Sequence, residues 1–164
     1  MKLGVICDGI SRDLSHALKV MDEFGLDYAE LQFVWDKEVG DHDASEIAQI
    51  KELLDTHNKP VSCLSRHIFA GLTTASKAGD KDHTRHMDYL KCVIEMAHQL
   101  NCPLVRIMTS KKEQILWGTN GAEHWNVAKG AWDTLPPLIA PAVDLARTEG
   151  VTLVVETGNG TMVN

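Results

Sequence analysis

The amino-acid sequence predicts an α/β fold of parallel strands, and three observations carry that prediction. Five short apolar or β-rich runs start near residues 3, 28, 61, 104 and 151. Segments with helical periodicity or helical composition separate them. Strand and helix therefore alternate along the whole chain, the pattern of βα units whose parallel strands are joined by right-handed crossovers. At 164 residues the chain suits one domain rather than two, and a domain of that size buries about 70% of its unfolded surface.

Each element has its own justification. Residues 2–7, KLGVIC, form a short apolar run closed by Asp8-Gly9, and after it Leu14, Leu18, Met21 and Phe24 recur at helical spacing with Gly25 where a helix ends. Residues 28–34, YAELQFV, read as the second strand. The helix after it is capped by Asp43 or Ser45 and turns Ile47, Ile50, Leu53 and Leu54 to one side. Pro60 suits the start of a third strand over 60–65, and Met87, Leu90, Val93, Ile94, Ala97 and Leu100 make the clearest apolar stripe of the sequence. A fourth strand covers 103–110. Residues 122–149 are helical in composition but carry Pro136, Pro137 and Pro141, which predicts a kink or two short helices, the second starting near Asp133 or Thr134. VTLVVE, residues 151–156, is the fifth strand.

Two architectures accommodate five such units. A five-stranded doubly wound sheet matches the length, but only eight residues follow Glu156, which leaves one flank of such a sheet without a covering helix. A (β/α)₈ TIM barrel has about 250 residues, and at roughly 30 to 40 residues per unit this chain supplies the first half and one further strand. On that reading residues 1–164 are the N-terminal portion of a single incomplete barrel, truncated after strand five, with five parallel strands and four helical crossovers.

Composition narrows the partners. Sixteen Lys and Arg against 23 Asp and Glu give a net charge of −7, with the basic residues scattered, which argues against nucleic acid and for a small neutral or polar ligand. The N-terminus has too short an apolar run for a secretion signal and no apolar stretch is long enough to span a membrane, so a cytoplasmic protein without membrane contact is expected. Cys7, Cys63, Cys92 and Cys102 lack zinc-type spacing and are read as free thiols.

Glu156 is the foremost candidate for chemistry. A carboxylate at the carboxyl end of a barrel strand points into the mouth where the βα loops converge. Burial raises a carboxyl pKa unless a cation holds the group ionised, and a divalent metal does so while leaving an oxygen to handle a proton. The competing reading is a glutamate hydrogen-bonded at a strand end. Glu30, of opposite parity to Leu31 and Phe33, is either a polar residue of the barrel floor or a substrate contact. Asp8 lines the mouth or merely closes a turn. Arg106, inside strand four, needs an acidic partner such as Glu30 or Glu156. Trp117 is a candidate wall for a sugar-sized pocket, with Lys111 and Lys112 beside it as phosphate contacts or solvated surface. Trp125 and Trp132 read as the inner stripe of a helix. His83 and His86, three apart at a helix start, have no third ligand in view and are read as surface residues.

The succession YAELQF on strand two, VSCLSRH at strand three and ARTEGVTLVVETGNG around strand five resembles the xylose isomerase-like TIM-barrel superfamily, which holds sugar and sugar-phosphate isomerases and epimerases, inosose dehydratases and metal-dependent abasic-site endonucleases. The resemblance covers essentially the whole chain as the N-terminal part of such a barrel. It implies that Glu156 ligates a divalent metal (Mn²⁺, Mg²⁺, Co²⁺ or Zn²⁺) and serves as acid/base. The other ligands, an aspartate, a histidine and a second glutamate, are then expected beyond residue 164. It also implies that His67, after strand three, touches the substrate or, as in the endonucleases, a metal, and the competing reading is a satisfied loop histidine. The endonuclease branch resembles a site with histidines after both strands three and four, and here Thr109 stands where the second is expected. That departure and the acidic charge count against DNA repair.

What the resemblance implies is proton transfer next to the carbonyl of a sugar or keto-polyol through an ene-diolate, as isomerase or epimerase. A lyase of the inosose dehydratase kind, or a non-enzymatic five-stranded α/β module, is the alternative. A receiver-type module wants acidic residues after strand one, an aspartate after strand three and a lysine after strand five. This chain offers Asp8, Ser65 or Arg66, and Glu156. A half barrel leaves strands one and five as open edges, so association between copies is expected, and the isolated chain is expected to lack substantial isomerase activity.

Overall fold

The computed structural model of the protein describes residues 1–111 and 131–157. Five strands form one sheet: β1 Gly4–Ile6, β2 Tyr28–Leu31, β5 Val61–Ser65, β6 Leu104–Ile107 and β7 Thr152–Val155. A two-stranded antiparallel hairpin, β3 Phe33–Val34 and β4 Lys37–Glu38, interrupts the series after β2. The helices α1 Leu14–Glu23, α2 Ala44–Thr56, α3 Lys81–Gln99 and α4 Ala131–Glu149 connect successive sheet strands. All sheet pairings are parallel, and the order β1-β2-β5-β6-β7 follows the chain without reversal. A doubly wound sheet reverses its strand order where the helices change face. This one never does, so the architecture is a partial (β/α) barrel.

The helices form where local chemistry starts and stops them. Asp13 accepts the backbone N–H of Ser15 at 3.0 Å to open α1, and Asp43 and Glu46 make a reciprocal capping box at α2. Asp80 accepts the N–H of His83 at 2.8 Å to open α3. Each helix then closes on a left-handed residue: Gly25 (φ 64°), Asn58 (φ 52°), Asn101 (φ 53°) and Gly150 (φ 72°). One bond recurs behind each of them, from Leu26 N–H to Met21 C=O, Lys59 to Leu54, Cys102 to Ala97 and Val151 to Ala146. This is the Schellman closure, which satisfies carbonyls that the helix end would orphan. The strand begins directly after it, so each crossover is the same mechanical unit.

Two expectations change. The run 28–34 is not one strand: β2 ends at Leu31, the Phe33 N–H is taken by Asp8 Oδ1 at 3.3 Å, and the chain turns back at Trp35 (φ 54°). Helix α4 runs from Ala131 to Glu149 across Pro136, Pro137 and Pro141, in agreement with a helix starting near Asp133, while residues 122–130 lie outside the described residues. Phe24, placed on the inner stripe of α1, sits at the C-cap and is 76% exposed.

Packing is one-sided. Ala29, Leu31, Leu64, Val105 and Ile107 lie in one core with Leu18, Met21, Ile50, Leu90, Ile94, Ala97 and Ala142 from the helices. At about 25 cal/mol per Å² of apolar area removed from water, this layer is the main stabilising term. Strand alternation turns the intervening residues to the other face. Glu30 registers with Cys63, and Ser65 with Arg106, which puts a polar stripe on the concave side of the partial ring.

Candidate active site at the carboxyl ends of the strands

Glu156 extends β7 by one residue, its N–H donating to Ile107 C=O at 3.2 Å. Parity with Val154, the register partner of Arg106, places its side chain on the concave face. There Glu156 Oε2 pairs with Arg106 Nη1. The arginine side chain is 11% exposed and the glutamate 43%, so a nearly buried cation holds a carboxylate that opens to solvent. Of the two acids that could have served Arg106, the structure selects Glu156. Arg106 Nε and Nη2 are buried without a hydrogen-bond partner among the described residues, and each buried orphan donor costs roughly 1–3 kcal/mol unless an acceptor arrives.

Glu30 accepts a 2.5 Å hydrogen bond from Ser65 Oγ on the neighbouring strand. Cys63 lies beside this pair, and burial pushes its thiol up. Glu30 is thus a half-buried polar residue of the concave face with a protein partner already in place.

A second group gathers at the rim above β1, β2 and β5. Asp8, in a single 3-10 turn Cys7–Gly9, is tied to the backbone of Phe33. His67 follows β5 and is half-exposed. Its Nδ1 stands 2.8 Å from Glu38 Oε1, which also accepts the His67 backbone N–H at 3.1 Å. Gln32 Nε2 is 3.2 Å from both ring nitrogens. Arg66, only 4% exposed, donates to Val39 C=O at 2.6 Å, makes a two-pronged pair with Asp41, approaches Glu38 to 3.5 Å and lies over the Tyr89 ring at 4.2 Å. Of this group the sequence names His67 and Asp8 as candidates, and not Glu38, Asp41 or Arg66. The acid-rich run from Asp36 to Asp43 beside a hairpin-length turn is the signal that could have pointed to them.

His83 and His86 are not surface residues. They are 3% and 7% exposed. His83 accepts the Gly79 N–H on Nδ1 at 3.1 Å and donates from Nε2 to Leu138 C=O at 2.8 Å, while its ring stacks on Phe69 with centroids 5.6 Å apart. His86 Nδ1 accepts the Phe69 N–H at 3.1 Å. They continue the stripe of Leu90, Val93 and Ala97 by one turn, with the imidazoles bonding backbone of the preceding loop and of α4 where an aliphatic side chain cannot. Trp117, Lys112, Trp125 and the glycines after Thr157 lie outside the described residues, as does the side chain of Trp132.

A cleft of about 340 Å³ opens at the opposite, amino-terminal end of the strands, among Lys2, Asp27, Tyr28, His57 and Lys59. Its charges are already committed: Lys2 to the Tyr28 hydroxyl, and Lys59 and His57 to Asp22. For a metal, the half-exposed Glu156 is a hard oxygen donor of the kind Mg²⁺ takes. Among the described residues no three His, Cys, Asp or Glu side chains converge on one point. Glu156 has the chemistry of one oxygen ligand, and the described residues do not complete a set around it.

Sequentially ordered parallel strands, helices on one face and acidic and basic side chains at the carboxyl ends of the concave face define a protein of the TIM-barrel class. A family model, the xylose isomerase-like TIM barrel, matches residues 18–164, and the chain belongs to that family. Solved structures agree at the level of the fold. An AP endonuclease, family 2, from Brucella melitensis is 15% identical with a TM-score of 0.63, over 99% of this chain and 60% of that one. A xylose isomerase-like TIM barrel protein from Mycobacterium smegmatis, in complex with magnesium, is 17% identical (TM-score 0.56; 92% and 48%). A D-allulose 3-epimerase from Methylomonas sp., in complex with D-allulose, is 14% identical (TM-score 0.55; 99% and 53%). The chain thus spans about half the length of the structures it matches. No curated protein matches the sequence. Among the described residues, no helix is long and apolar enough to cross a membrane.

Proposed function

We propose that these residues form part of the active site of a metal-dependent sugar or sugar-phosphate isomerase or epimerase. The observation that carries the proposal is Glu156, a half-exposed carboxylate at the carboxyl end of β7, held on the concave face by the nearly buried Arg106. In this reading Glu156 removes the carbon-bound proton next to the carbonyl of a keto-sugar to give an ene-diolate, and returns it to the neighbouring carbon in isomerisation or leaves reprotonation of the same carbon to a second acid on the opposite face in epimerisation. Arg106 fixes the carboxylate so that one oxygen faces the reacting carbon, which confines the proton transfer to one geometry. A divalent cation held in part by Glu156 would supply polarisation of the substrate carbonyl and hydroxyl oxygens. In the same reading Glu30 with Ser65, and Asp8 and His67 at the rim, contact the hydroxyls of the sugar, and Trp117, outside the described residues, supplies a stacking wall. Neighbours that carry sugar chemistry in their names, the D-allulose 3-epimerase among them, support this substrate class.

The test is solvent deuterium exchange on the whole natural polypeptide, supplied with Mn²⁺ and a panel of ketohexoses and their phosphates. Deuterium should enter the carbon next to the carbonyl, and Glu156→Gln should slow that entry by about 10²–10⁴-fold, the usual worth of a positioned acid/base. Exchange that survives Glu156→Gln unchanged, or none with any ketose, overturns the proposal.

A further inference from the structure

The rim group contains a device that the assignment of Glu156 does not use. Glu38 Oε1 lies 2.8 Å from His67 Nδ1 and 3.1 Å from the His67 backbone nitrogen. A carboxylate can only accept, so it requires the imidazole proton on Nδ1 and leaves Nε2 as a bare lone pair. The Gln32 amide nitrogen does not fill that lone pair. At 3.2 Å from both ring nitrogens it lies on the plane bisecting the ring, off the in-plane direction in which Nε2 accepts. His67 is half-exposed, so its second nitrogen is available to a molecule in the mouth.

Glu38 in turn is fixed from behind. The buried Arg66 reaches Glu38 at 3.5 Å, is paired with Asp41 through both terminal nitrogens and donates to Val39 C=O, so the returning strand of the hairpin is clamped at three points. Gly40 passes so close to α3 that a Cβ there would stand 2.8 Å from Val93 Cγ2. A surface carboxylate that met a histidine by chance would not need such support.

We propose that Glu38 is a positioning residue that locks His67 as the Nδ1–H tautomer, making His67 Nε2 a proton acceptor for a hydroxyl group of the substrate at the rim. This rests on the sugar or keto-polyol reading above and deepens it: the ligand must present a hydroxyl proton to the rim. It also gives the β3–β4 hairpin, a departure from plain βα repetition, a purpose in the site.

The experiment is ¹⁵N NMR of the His67 imidazole in the 164-residue chain, at a pH where the ring is neutral. Wild type should show a protonated Nδ1 and a bare Nε2. Glu38→Met, similar in size but without an acceptor, should release the ring to a mixture containing the Nε2–H form. Glu38→Gln, whose amide oxygen can still accept, should keep the wild-type tautomer and so separates the hydrogen bond from the fold. In the whole polypeptide Glu38→Met and His67→Phe should each lower ketose turnover by at least about tenfold, with Glu38→Gln closer to wild type. A wild-type ring protonated at Nε2, a Glu38→Met chain that keeps the wild-type tautomer, or unchanged turnover in Glu38→Met each overturns the proposal. Failure of the Glu156 reading shows elsewhere, as deuterium exchange indifferent to Glu156→Gln.

Discussion

At the scale of single residues, burial acts alike on the thiols of the core and of the concave face. Burial pushes the Cys7 thiol up to about 12 and the Cys102 thiol up to about 11, and Cys63 rises for the same first cause, loss of water around the thiolate. Cys92 alone of the four is exposed. Since the thiolate is the nucleophile, an aromatic disulfide reagent at neutral pH should modify Cys92 rapidly and the other three only after denaturant is added. Mass spectrometry of the peptides checks this, and a fast second site would contradict the burial. Glu156 and Arg106 could be recognised from the sequence because a charge at or in an apolar strand needs a reason. Which acid Arg106 chooses could not, since Glu30 and Glu156 share its face and only register decides. Glu38 was invisible for the opposite reason: it sits in a polar run where a carboxylate is ordinary, and its meaning arises only when the hairpin brings it to His67.

At the scale of elements, the sheet strands were legible because each is a short apolar run between helix-closing and helix-opening signals. The expected starts near 28, 61 and 104 coincide with β2, β5 and β6. The hairpin was not, because Phe33 and Val34 continue the apolar composition of β2 while Asp8, distant in sequence, breaks the ladder. Gly40, at φ 90° beside Val93, is essential to that hairpin. Gly40→Ala adds a left-handed strain and a contact with Val93 that α3 cannot relieve, and should cost about 1–3 kcal/mol in urea unfolding. A cost near zero would mean the hairpin is not pressed on α3.

The start of α3 yields a pH prediction. Burial, aided by the cations Arg85 and Arg66, lowers the pKa of His86 below its ordinary value, while Asp82 opposes the shift. Above the ordinary histidine pKa of about 6.5 the ring is neutral whether the chain is folded or not, and its contribution is fully present. As pH falls through that value the unfolded chain takes up a proton that the folded chain resists, so stability is lost until the folded pKa is reached. Melting temperature should therefore fall between pH 7.5 and 5. His86→Asn, whose side-chain oxygen can still accept the Phe69 N–H, should flatten that part of the profile. An unchanged slope in the variant would place the proton uptake elsewhere.

At the scale of the whole molecule, the strand order is the decisive fact, and composition could not supply it. Five βα units are compatible with a sheet covered on both faces or with a ring covered outside only, and the choice depends on which side each crossover helix lies. The sequential order β1-β2-β5-β6-β7 places β1 and β7 at opposite edges. Among the described residues neither edge has a second strand beside it, and each carries an exposed aliphatic side chain, Leu3 next to β1 at 48% and Val155 in β7 at 45%. An unpaired parallel edge with an apolar side chain is a template for another strand, and proteins that leave such edges bare usually guard them with charge. The 164-residue chain should therefore associate through β1 and β7 at micromolar concentration, visible as concentration-dependent sedimentation. Val155→Lys, which puts a charge on the β7 edge without touching the concave face, should shift the chain toward monomer. If the wild type sediments as a monomer throughout, the edges are satisfied in another way; if Val155→Lys leaves association intact, the contact lies elsewhere on the surface.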